Sequence, residues 1–76
     1  MSGKAKLPAV SGDDCIRALA KVGFYVIGQR GSHIHLRRDE PYVKFSVPNH
    51  KTVYKGTVKN ICRLAGLTVD EFNGLL

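Results

Sequence analysis

The sequence predicts an α+β domain, with a three-stranded antiparallel sheet and helices packed on one face. Three observations lead there. Two segments carry apolar residues at i, i+3, i+4 and i+7, the period of a helix that buries one side. Between them lie three short segments rich in aromatic and β-branched residues. The turns joining these three are too short for a parallel crossover, so the strands form an antiparallel meander.

Each element has its own signal. Ser11 reads as an N-cap, with Asp13 and Asp14 in the first turn, where carboxylates favour the positive end of the helix dipole. Ile16, Leu19, Ala20 and Gly23 then recur at helical spacing, with Arg17 and Lys21 on the other side. A first helix is expected from about Gly12 to Val22, with Gly23 as its stop. "FYVIGQR" reads as a strand from Phe24 to about Arg30, and Gly31-Ser32 is a tight-turn signal. In "HIHLRR", Ile34 and Leu36 share one face, while His33, His35 and Arg37 share the other. "RDEP" is the next turn. "YVKFSVP" alternates again, with Val43, Phe45 and Val47 inward and Lys44 and Ser46 outward, until Pro48 ends the strand.

"NHKTVYKG" reads as a loop. Thr57 is expected to cap a second helix that buries Val58, Ile61, Cys62 and Ala65, turns Lys59 and Arg63 outward, and stops at Gly66. "TVDE", Thr68 to Glu71, matches the capping-box pattern. The short helix after it is expected to bury Phe72, Leu75 and Leu76.

With 76 residues the chain holds one domain, near the size at which a core becomes marginal. The expected organisation is a short flexible basic leader, residues 1–10, and a single domain, residues 11–76. Helices on one face of the sheet leave the other face wet. On it stand His33, His35, Arg37 and Lys44.

The net charge of +6 is unevenly spread. From Arg17 to Arg63 there are ten Lys/Arg against only Asp39 and Glu40, a net +8 for that segment. Asp13, Asp14, Asp70 and Glu71 lie at helix starts and are accounted for there. The remaining positive field points to a polyanion, most often nucleic acid; solubility alone is the plainer reading. Two cysteines are too few for a disulfide framework, and both fall on buried helical stripes. No apolar run has the length of a membrane span, and no signal-peptide pattern opens the chain. The expected compartment is a reducing cytoplasm.

The motifs resemble a known family. "LAKVGFYVIGQRGSHIHLRR", "VPNH" and "KGTVKNICRLAGLTVDEF" are similar to the HicA family of small bacterial and archaeal toxins. Gly23-Phe24, Gly31-Ser32-His33, Val47-Pro48-x-His50, Gly56-Thr57 and Ala65-Gly66-Leu67 occur in the family's order, over roughly Ser11 to Leu75. The resemblance implies a double-stranded-RNA-binding-like α-β-β-β-α fold. It also implies an mRNA-cleaving endoribonuclease, held inactive by a HicB-type antitoxin from the same operon. It assigns catalysis to the histidine of "GSH", here His33.

The residues themselves offer chemistry of that kind. RNA carries its own nucleophile, the 2′-OH. Cleavage needs a base for that proton, an acid for the leaving 5′-oxygen, and cations for the phosphorane. Imidazole suits proton transfer because it titrates near neutrality. His35 stands about 6.5–7 Å along the strand from His33, a spacing fit to straddle one phosphodiester. His35 and His50 are therefore the candidates for a second acid or base. Arg30, Ser32, Arg37, Lys44 and Lys55 are candidates for RNA contact, with Lys59 beside them on the second helix. Gly56-Thr57 is placed to present helix N–H groups to a phosphate, or simply to cap the helix. The three histidines offer zinc donors, but no carboxylate motif stands beside them, and no metal or small-molecule cofactor is expected.

The leading expectation is a metal-independent endoribonuclease toxin, with mRNA and a HicB-type antitoxin as partners, the antitoxin covering the His33 face. The alternative is a non-catalytic RNA-binding module that grips RNA by shape. A pure protein-interaction subunit is the third, separated from both by whether the protein binds RNA in a salt-sensitive way.

Overall fold

The computed structural model describes residues 9–76. The segment "MSGKAKLP", most of the expected leader, lies outside the described residues. The elements run α1 (Gly12–Ala20), β1 (Tyr25–Arg30), β2 (His33–Asp39), β3 (Tyr42–Pro48), α2 (Lys55–Ala65) and α3 (Val69–Leu75). The expected α+β order is present. The sheet is an antiparallel meander in the order β1-β2-β3.

Local chemistry fixes the helix starts. Ser11 and Asp14 form a reciprocal capping box, each side chain accepting the other's backbone N–H at 3.0 Å. Thr68 and Glu71 do the same for α3. The second helix differs from expectation. Thr57 does not cap it; α2 begins at Lys55, three residues before the Val58 start that a Thr57 cap implies, behind Tyr54, which makes no side-chain capping bond. Thr57 therefore sits inside the first turn. Gly66 does close α2, in the left-handed conformation that residue tolerates best, φ 77°.

The core lies between the helices and one face of the sheet. Leu36 and Val47 are fully buried against a cluster that includes Leu19 of α1, Val58 and Ile61 of α2, and Phe72 of α3. Each such side chain contributes roughly 1.5–3 kcal/mol by leaving water. Four details depart from the sequence reading. The α1 stripe is displaced by one residue: Cys15, Ala18 and Leu19 are buried, while Ala20 and Gly23 are exposed. The spacing is the same; the small Ala20 and Gly23 do little to set the buried side. α1 ends at Ala20 rather than near Val22. Val10, assigned to the leader, is 3% exposed, and its carbonyl accepts from the Val53 N–H at 2.7 Å. Leu76, assigned to the core, is exposed, because α3 ends at Leu75.

The helices leave β1 open. None of its six residues is buried, and Val26 and Ile27 are exposed apolar side chains on an edge strand. A bulge between Val26 and Gly28 breaks the β1–β2 register. Bulges of this kind twist an edge and blunt it as a template for another strand.

Candidate active site

Alternation along β2 divides its residues between two faces. Ile34 and Leu36 enter the core. His33, His35, Arg37 and Asp39 point to the face the helices do not cover. Cross-strand pairing extends that face. β3 contributes Pro48, Ser46, Lys44 and Tyr42, opposite His33, His35, Arg37 and Asp39. β1 contributes Arg30, Gly28 and Tyr25, opposite His33, His35 and Arg37. The structure thus brings His33, His35, Arg30, Arg37 and Lys44 onto one surface.

A two-residue hairpin turn positions His33. Arg30 pairs with His33, so only Gly31 and Ser32 lie between the strands. Gly31 has φ 60° and Ser32 a negative φ, the signature of a turn that requires glycine first. The Ser32 carbonyl accepts from the Asn49 N–H at 2.6 Å, and the His50 carbonyl accepts from the Gly12 N–H at 2.9 Å. A Cβ on Gly12 would collide with the Pro48 carbonyl. The start of α1, the end of β3 and the His33 turn are therefore locked together at one end of the sheet. Ser32 contributes through its backbone, its side chain exposed at the turn. His33 and His50 are exposed and His35 is half-buried. Among the described residues none of the three imidazoles is held by a side-chain hydrogen bond.

The basic pair Arg37-Arg38 is split between the two faces. Arg38 faces the core side, where its guanidinium lies 4.6 Å from the Phe24 ring and reaches the carbonyls of Pro41 and Val22. Arg37 is on the histidine face, but it is tethered. Its Nε and Nη2 donate to Tyr25 Oη at 2.9 and 2.6 Å, and Nε lies 3.0 Å from Asp39. Tyr25 Oη in turn donates to Asp39 at 2.7 Å. The hydrogen bond to Tyr25, with the Asp39 charge behind it, raises the Arg37 pKa further. Lys44, opposite Arg37, has no such partner among the described residues. Asp39 is the sole carboxylate on this face among the described residues, and the tether occupies it, so the rest of the face stays cationic.

Lys55, Thr57 and Lys59 fall elsewhere. They lie on α2, which packs on the opposite side of the sheet from the histidines. Lys55 and Lys59 are exposed and Thr57 is half-buried. The first turn of α2 holds no acid and no side-chain cap, so its N–H groups point outward beside a lysine. The cysteines are buried and free, and burial pushes the Cys15 thiol up to about 11. Tyr25, Asp39 and Tyr42 are members of the histidine face that the sequence reading passed over. Their place in the strand alternation was the available signal.

The stretch from α1 to α2 matches a family model. The model described as the HicA toxin of bacterial toxin–antitoxin matches residues 12–67, most of the chain. The chain belongs to the HicA toxin family. The matched span covers α1, the whole sheet and α2, and leaves α3 outside it. Membership makes this HicA protein the toxin of a toxin–antitoxin pair, and implies a cognate antitoxin. No curated protein matches the chain. Among the described residues no helix is long and apolar enough to cross a membrane.

Proposed function

We propose that this HicA toxin is a metal-independent endoribonuclease that cleaves mRNA with His33 as its proton-transfer group. The observation that carries the reading is the position of His33. It opens β2 directly after a glycine turn, on the uncovered face, with Arg30 opposite and His35 one pleat further on. A phosphodiester laid over this end meets an imidazole and cations at once. In the proposed step the 2′-oxygen attacks the adjacent phosphorus as its proton passes to an imidazole. The bond to the 5′-oxygen breaks, and that oxygen takes a proton. The products are a 2′,3′-cyclic phosphate and a 5′-hydroxyl. Arg30, opposite His33, stabilises the phosphorane charge, and Lys44 meets a phosphate further along the strand. His35 is the candidate partner in proton transfer, and His50, at the same end of the sheet, the alternate. Among the described residues no carboxylate pair is on the face to hold a divalent ion, since Asp39 stands alone there and is tethered. A cytoplasmic mRNA substrate fits this reading.

The antitoxin, in this account of HicB type, neutralises the toxin by covering the His33 face and setting acidic side chains against Lys44 and Arg30. The test of the whole reading is induced expression of wild type and His33→Ala in a host lacking antitoxin, with growth and mRNA integrity followed together. Growth arrest with mRNA loss in wild type, and neither in the variant, is the expected result. Equal toxicity of the two would sink it.

One observation favours a second reading, RNA binding without cleavage. The uncapped start of α2, with Lys55, Thr57 and Lys59, is suited to backbone phosphates of a duplex. Its test is whether Lys55→Ala with Lys59→Ala lowers affinity for duplex RNA while wild type leaves RNA uncut.

A further inference from the structure

The chain's aromatic residues are sorted by chemistry. Phe24 and Phe72 are buried and Phe45 is half-buried, packed on Phe24 with ring centroids 4.9 Å apart. The three tyrosines are all exposed. Tyr54 flanks α2, with its ring along Gly56. Tyr25 and Tyr42 are on the histidine face, on either side of β2, opposite Arg37 and Asp39 respectively. Tyr42 is 64% exposed, and among the described residues no ring or side-chain hydrogen bond covers it. Tyr25 is held by Arg37 and Asp39, with the guanidinium carbon 5.4 Å from the ring centroid.

A tyrosine ring left open on a strand face offers a flat apolar surface on which a ligand can pack. Tyr42 is on the cationic face, beside Arg37 and Lys44, and not on the apolar edge formed by Val26 and Ile27. The charge there selects a polyanion, and a flat ring among cations selects one with flat, unpaired bases. Single-stranded RNA is that ligand: its phosphates meet the cations while its bases stack on tyrosine.

We infer that Tyr42, with the tethered Tyr25–Arg37 pair, forms a stacking subsite for unpaired RNA bases. It lies at the opposite end of β2 from His33, roughly 20 Å along the strand, so it grips bases some nucleotides away from the bond that is cut. This rests on the proposed nuclease reading and adds to it: the substrate is held single-stranded, and the hold is partly uncharged.

The test measures affinity in the His33→Ala background, where the RNA stays whole. The probes are a short fluorescein-labelled single-stranded RNA and a duplex of matching sequence, read by anisotropy. Tyr42→Leu keeps an apolar strand residue but removes the π-face. It is expected to weaken single-strand binding about 5- to 150-fold, the range for loss of one base–aromatic stack. Duplex affinity should hold within about twofold, since paired bases offer no free face. Tyr42→Phe should restore most of the loss. The chain has no tryptophan, so its intrinsic fluorescence is that of tyrosine, and single-stranded RNA should quench it in the parent more than in Tyr42→Leu. Unchanged single-strand affinity in Tyr42→Leu overturns the inference and leaves the nuclease reading standing. So does a loss confined to antitoxin binding, or an equal loss on both RNAs. A His33→Ala parent that binds neither RNA overturns both.

Discussion

Tyr25 and Arg37 are joined by a two-pronged hydrogen bond across β1 and β2, with Nε and Nη2 both donating to the phenol oxygen. Arg37 is thus oriented before any ligand arrives, which spares part of the entropy cost of ordering it on binding. Tyr25→Phe keeps the ring and removes the anchor. The variant should fold as wild type, because the site is exposed. Its affinity for single-stranded RNA should fall by about two- to fivefold, the scale of one modest hydrogen bond, as read by anisotropy at fixed salt.

Lys44 should behave differently. It is exposed and untethered, so on the proposed reading its contribution to RNA binding is charge alone. Lys44→Ala should reduce the slope of log affinity against log salt by roughly 0.7–0.9, one released counterion. Tyr25→Phe should leave that slope unchanged. Titrations over a series of salt concentrations separate the two. A Lys44→Ala slope equal to wild type would remove Lys44 from the RNA-contact surface.

Stability should divide along the two faces of β2. Leu36, on β2, is fully buried in the core beneath the helices. Leu36→Ala should cost about 2–5 kcal/mol, enough to leave so small a domain largely unfolded. His33→Ala, on the exposed face, should stay within about 0.5 kcal/mol of wild type. Urea denaturation followed by circular dichroism measures both.

The face that carries the candidate site was legible because strand period two is strict. His33, His35 and Arg37 on one side and Ile34 and Leu36 on the other can be read directly from "HIHLRR". The order of elements was legible for a similar reason, since caps and turn glycines punctuate it. The α1 stripe was read one residue late, because alanine and glycine satisfy a periodicity without committing to a side. The start of α2 lies three residues before the one a Thr57 cap implies, because no side chain caps it and tertiary packing sets its boundary. The Tyr25–Arg37–Asp39 tether depends on cross-strand register. The bulge between Val26 and Gly28 shifts that register, and a glycine within a strand hints at a bulge without fixing the partners. Val10 lacked any local signal: it is held by a bond to Val53, 43 positions away in the chain.

Alkaline pH should weaken the fold through Cys15. Burial, reinforced by the charge of Asp14, raises its thiol from 9.0 to about 11 in the native state. The native protein keeps a proton that the unfolded chain releases. Its stabilisation is therefore complete below pH 9 and is lost as pH rises towards 11. Burial raises Cys62 in the same direction. The loss is bounded at about 1.4 kcal/mol per pH unit for a single group. Urea midpoints at successive alkaline pH values should fall more steeply for wild type than for Cys15→Ala, and identical pH profiles would contradict the assignment.

The central claim is that His33 cleaves RNA without a metal. The most direct measurement is cleavage of a long mRNA by purified toxin in excess EDTA, wild type beside His33→Ala, with folding verified by circular dichroism. The account predicts full wild-type activity in EDTA. It predicts a loss of about 10²- to 10⁴-fold in the folded variant, the usual weight of one acid–base group. Wild-type activity abolished by EDTA would contradict the metal-free step, and a folded, fully active His33→Ala protein would contradict the role of His33 itself.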